Sequence, residues 1–163
     1  MDLSKLSKGD QIIGVSGIAL FVFSFFKWLG YSYKGSSIPG ALGASASASA
    51  WTFTLCWFAV ILGLALVAVV ALKAAGKALP DLGGVTWAQV VLGVAALALV
   101  LVVIKIVAGP SSHGVDLGAI GISKSRKIGI FLGLIATAGL TAGAWLNFQA
   151  EKSGGGRAAP PAA

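Results

Sequence analysis

His113 is the single histidine of the chain and lies near Ser111, Ser112 and Asp116 between two apolar runs. A histidine beside a carboxylate can serve as a general base or a pH sensor, because its charge changes between about pH 5 and 8. Catalysis would need a second titratable partner fixed by spacing, and a metal would need more ligands than these two. The group therefore reads as a solvated loop. Cys56 is the only cysteine, which excludes an intrachain disulfide and a thiolate zinc site. Gly154, Gly155 and Gly156 lack the Lys-Ser/Thr and the preceding strand of a phosphate loop. No catalytic, metal or cofactor-binding residue is expected, and the chain reads as a non-enzyme.

The remaining chemical candidates are charges set among apolar residues. Lys27 and Lys105 lie within a turn or so of the ends of apolar runs. From there a lysine can extend its stem along apolar surface and place its ammonium at the headgroups. Both fall on the same side of the membrane, where together they would make a basic ring suited to an anionic lipid headgroup, and Lys124, Arg126 and Lys127 are further headgroup candidates. No Asp or Glu occurs within any of the apolar runs. Proton- and cation-coupled transporters generally carry an intramembrane carboxylate, so that class is disfavoured.

These groups must be positioned by elements suited to lipid. The 163 residues are 57% hydrophobic and only 10% charged, against roughly 25% charged in soluble domains, and the mean hydropathy is +0.93. Four apolar runs, at about 11–29, 51–72, 87–108 and 128–148, are each long enough to span roughly 30 Å of hydrocarbon. The expected fold is an all-α membrane protein, a four-transmembrane-helix bundle over residues 1–150 followed by a disordered tail at 151–163. The net charge of +7 sits between the apolar runs, which points to anionic headgroups and membrane lipid, with no nucleic acid. Trp28, Trp51, Trp87 and Trp145 fall near the run ends, as an interfacial aromatic belt would place them, and Trp57 lies within the second run.

The connectors carry the breakers. Residues 30–50 hold Gly35, Pro39, Gly40 and Gly43 and an Ala/Ser alternation from Ala44 to Ala50, the composition of a flexible loop. Gly109-Pro110 is a firm helix stop, and the apolar stretch 115–122 beyond it suits the membrane interface. Lys5 and Lys8 before the first run would also suit a signal peptide. However, the Ala-Ser-Ala triplets lie well past the run, and a retained helix is expected.

An even number of spans puts both termini on one side. Lys5, Lys8, Lys73, Lys77, Lys152 and Arg157 fall on that side, and Lys27, Lys34, Lys105, Lys124, Arg126 and Lys127 on the other. Setting aside Lys27 and Lys105 as helix-end residues leaves a bias for cytoplasmic termini of a multi-pass protein in the plasma membrane. The cluster Lys124-Ser125-Arg126-Lys127 pulls the other way.

Small residues give the most specific packing signal. Gly129, Gly133, Thr137 and Thr141 follow one another at i, i+4 spacing, and Gly139 with Gly143 forms a second GxxxG. Such a face lets two helices approach closely. Gly14 and Gly17 in the first run, and Ala59 and Gly63 in the second, are the expected receiving surfaces. Packing within one chain is expected ahead of homodimerisation.

The stretch from Ser16 through Phe25-Phe26-Lys27-Trp28, the Gly/Ser/Ala-rich connector and the last run through Gly143-Ala144-Trp145-Leu146 resemble small four-helix integral membrane proteins of the type common in actinobacteria. Lys27 stands where that type often has proline before the tryptophan. The resemblance implies a membrane protein with cytoplasmic termini and brings no catalytic residues. The functional expectation is an accessory or structural subunit acting through helix–helix contacts, with a larger membrane complex or self-association as partner. A small oligomeric transporter or channel, or a lipid-binding envelope protein, is the alternative.

Overall fold

The computed structural model describes residues 6–33, 45–77, 79–80, 83–109 and 122–154. Four helices form the body: α1 (Lys8–Ser24), α2 (Thr54–Ala74), α3 (Trp87–Ala108) and α4 (Ile128–Gly154). Three short strands, β1 (Leu29–Tyr33), β2 (Ser45–Ala48) and β3 (Ile122–Arg126), form an antiparallel sheet in the order β2-β1-β3. The strands follow α1, precede α2 and precede α4, so the sheet closes the bundle end opposite the termini of α1 and α4. The sheet corrects the expectation of an all-α chain.

α2, α3 and α4 are each long and apolar enough to cross a membrane. α1 is not among them, having 17 residues with Asp10 in its first turn. It nevertheless packs along α4 and α2, and its outward residues Val15, Ile18, Val22 and Phe25 are apolar and exposed.

Local chemistry sets the boundaries. Ser7 caps α1 by accepting the Asp10 N–H, which starts the helix earlier than the expected residue 11. α1 ends at Ser24, short of the expected 29, because the chain tightens at Phe25 and Phe26 and enters β1. The expected start of the second span at 51 is displaced, since Ala50–Thr52 forms a 3-10 turn and α2 begins at Thr54. A capping box of Thr86 and Gln89 starts α3, and Gly109 with φ of 67° ends it, a backbone state only glycine adopts without strain. α4 runs on to Gly154, so the helix includes Glu151 to Ser153, which the sequence reading placed in the tail.

The interior is apolar, with Ile13 and Leu20 of α1, Val60 and Leu66 of α2, Val102 of α3 and Leu140 of α4 all buried. The outward residues of α3, including Leu97, Val100, Ile104 and Val107, are apolar and exposed, as lipid-facing residues are.

Candidate functional site

The glycines of α4 build a close contact with α1. A Cβ at Gly143 would stand 2.7 Å from the Gly9 carbonyl oxygen and 2.9 Å from Ile13. One at Gly139 would collide with the Ser16 side chain, and one at Gly17 with Val67 of α2. Gly63 faces Leu20 and Leu140, Ala59 is buried, and Gly14 has only Val70 nearby at 3.8 Å. Thr137 Oγ1 donates to the carbonyls of Gly133 and Leu134 in its own helix. Thr141 Oγ1 lies 3.0 Å from the Thr137 carbonyl and 3.2 Å from the Ala95 carbonyl of α3. The small-residue stripe is thus covered within the chain.

The upper part of that stripe receives Trp28. Its indole lies on Gly129 and Gly133, where added Cβ atoms would stand 2.5 Å from ring carbons, and its Nε1 donates to the Phe23 carbonyl at 2.8 Å. Trp28 is fully buried, so it is a core residue and not part of an interfacial belt. The main chain fixes it on both sides: its N–H donates to Ala48, and its carbonyl accepts from Lys127. The Lys27 carbonyl accepts the Gly129 N–H, satisfying one of the orphan donors at the start of α4. Trp51 Nε1 donates to Ser24 Oγ, which in turn donates to the Phe21 carbonyl. Trp51 and Trp145 are substantially exposed, and Trp87 Nε1 donates to the Pro80 carbonyl.

The described basic residues of the sheet end differ in exposure. Lys27 and Lys127 are exposed, and the Arg126 Nε donates to the Ile106 carbonyl at 2.8 Å, securing β3 to the end of α3. Lys105, expected to reach the headgroups, is only 4% exposed, and its Nζ sits 4.5 Å from the centre of the Phe53 ring. The turn leading into α2 lays Phe53 over it, and a cation over an aromatic face is stabilised by the ring quadrupole. Tyr31, Thr52 and Thr54 join Lys105 around a cavity of about 460 Å³. Lys124 pairs with Tyr31 by strand register, but its side chain lies outside the described residues. So do His113, Asp116 and the apolar stretch at 115–121.

The opposite end holds a polar cluster that sequence reasoning missed. Asp10 is 7% exposed. Its carboxylate accepts from Lys73 Nζ at 3.1 Å and from Asn147 Nδ2 at 2.8 Å, and Ser7 Oγ donates to Asn147 Oδ1 at 2.5 Å. One carboxylate therefore joins α1, α2 and α4. Among the described residues, no buried side-chain nitrogen or oxygen lacks a hydrogen-bond partner, as burial demands.

No protein-family model matches the chain, and no curated protein matches it in sequence.

Proposed function

We propose that the protein is a non-enzymatic integral membrane protein in which all four helices cross the bilayer, and that it serves as an accessory or structural subunit through helix–helix contacts. The observation that carries this is how the bundle spends its residues. The interior positions are filled by Ile13, Leu20, Val60, Leu66 and Leu140, all at most 3% exposed, so among the described residues the bundle interior offers a solute no polar path. The buried Asp10 pairs with Lys73 and Asn147, and the buried Thr137 with its own main chain.

α1 crosses with the others because it lies along α4 and α2 and turns apolar residues outward. At about 1.5 Å per residue its 17 residues rise about 25 Å. Residues 25–28 and the sheet complete the crossing at one end. The small-residue stripe of α4 is covered inside the chain, so the contacts with a partner fall to the outer face of α3, where Gly93, Leu97, Val100, Ile104 and Val107 follow at helical spacing. In lipid such contacts gain by close packing, not by the hydrophobic effect.

Affinity purification from native membranes in mild detergent, with the stoichiometry of co-purifying proteins measured, tests this reading. A stoichiometric partner lost on Gly93→Leu is the expected result. A lone monomer in every mild detergent would overturn it.

A further inference from the structure

A groove of about 450 Å³ runs between α1 and α2 on the outside of the bundle. Val15 and Ile18 of α1 and Val67, Val70 and Ala74 of α2 form its walls, and Gly14 leaves it open. Asp10 lies at one end with Lys73 bound to its carboxylate. From Asp10 to Ile18 the groove extends about 12 Å at the helical rise per residue. That is close to the roughly 15 Å that one leaflet contributes to the hydrocarbon core.

We propose that this groove is a binding site for an anionic glycerophospholipid of the adjacent leaflet, one acyl chain lying along Gly14 and the phosphate at Lys73 and Lys77. Three observations fix the occupant. The groove is apolar along its length and polar only at the end that meets the headgroups. Its depth matches one leaflet. Among the described residues its charged end is cationic in balance, because Asp10 answers Lys73 and Glu151 offsets Lys152, which leaves the exposed Lys8 and Lys77. Lys73 retains access for a second acceptor, its side chain being 31% exposed.

Lipid tails are as apolar as the groove, so tail burial alone gives no selectivity. Residence comes from contacts that an unfilled groove would forfeit. Selectivity comes from the headgroup, about fivefold for each lysine near the phosphate. The proposal rests on α1 and α2 being embedded as described above. Labelling by an impermeant maleimide of Lys8→Cys and Lys77→Cys from one side of a sealed vesicle, and of Lys27→Cys from the other, tests that premise separately.

The direct experiment places the full-length protein in phosphatidylcholine vesicles containing a trace of spin-labelled phosphatidylglycerol or spin-labelled phosphatidylcholine. A motionally restricted component at least fivefold larger for phosphatidylglycerol is expected. Gly14→Leu should abolish it without unfolding the protein, because a Cβ there meets only Val70, at 3.8 Å. Lys77→Gln, which leaves the Asp10–Lys73 pair intact, should lower the phosphatidylglycerol preference about fivefold. Equal restriction of the two lipids in the native chain overturns the proposal. So does restriction that survives Gly14→Leu in a folded protein, or efficient disulfide crosslinking of two copies through Val15→Cys, which would assign the groove to a second copy.

Discussion

Replacing Gly133 by alanine should destabilise the protein, although alanine is the better helix former. A Cβ at this position would stand 2.5 Å from Cη2 and 2.6 Å from Cζ2 of Trp28. Carbon atoms in contact rest about 3.5–4.0 Å apart, so about 1 Å must be absorbed by the indole or by α4. The indole has little freedom to move. It is fully buried, its Nε1 is bonded to Phe23, and its main chain is bonded to Ala48 and Lys127. Overpacking of this kind costs about 1–3 kcal/mol, and removing a helical glycine returns about 0.5–1 kcal/mol. The net expectation is a loss of about 1–2 kcal/mol. Gly93→Ala is the internal control, since nothing lies within 4 Å of a Cβ there. It should gain about 0.5–1 kcal/mol. Unfolding by SDS titration in mixed micelles, followed by circular dichroism, measures both. Trp28→Phe removes the two ring atoms that collide, so the double variant should show coupling of at least about 1 kcal/mol. A Gly133→Ala protein as stable as Gly93→Ala would refute the packing argument.

Asp10→Ala leaves Lys73 and Asn147 without their shared acceptor and should cost about 1–3 kcal/mol in the same titration, the partial exposure of Lys73 keeping the loss below that of a fully buried pair. Adding Lys73→Ala should recover part of the loss, because no uncompensated ammonium then remains. Thr86→Ala removes the side-chain cap of α3 and should cost about 1 kcal/mol, with faster amide exchange confined to the first turn. Lys27→Cys and Lys77→Cys, at opposite ends of the bundle and both exposed, should react with an impermeant maleimide from opposite sides of a sealed vesicle. Labelling of both from one side would remove α2 from the membrane.

The helices were legible in the sequence because lipid imposes a coarse and strong rule, a long apolar run between breakers. α3 keeps the boundaries 87–108 and α4 begins at Ile128, since Gly109-Pro110 and the basic cluster before residue 128 leave little choice. Residues 25–28 were misplaced because an aromatic run reads equally as the end of a span or as the entry to a strand. The sheet was illegible for a related reason. Ser45-Ala46-Ser47-Ala48 alternates with the strand period, but its residues are small enough to read as linker. Asp10 escaped notice because hydropathy placed the span edge one residue beyond it. Trp28 at a helix end fits a belt or a core, and only the glycine pair four residues apart in α4, read as a receptacle for an indole, could have decided between them.

The first and last helices make the most extensive contact of the bundle, and this has a consequence for assembly. Trp28 finds Gly129 and Gly133, Ser16 finds Gly139, and Gly9 finds Gly143, all across more than a hundred residues of chain. Asp10 meets Asn147 over 137 residues. α2 and α3 meet their sequence neighbours, whereas α1 lacks its main packing partner until α4 has been inserted. A chain truncated after Lys127 should therefore lose the seat of Trp28 and one of the two donors to Asp10, and its N-terminal segment should be cleaved rapidly by added protease. Co-expression of residues 128–163 as a separate polypeptide should restore protection, because α4 carries the missing glycine seats and amide in one piece. Protection of the truncated chain equal to that of the intact protein would show that α1 is held by α2 and the lipid alone, and that the glycines of α4 only line a surface already formed.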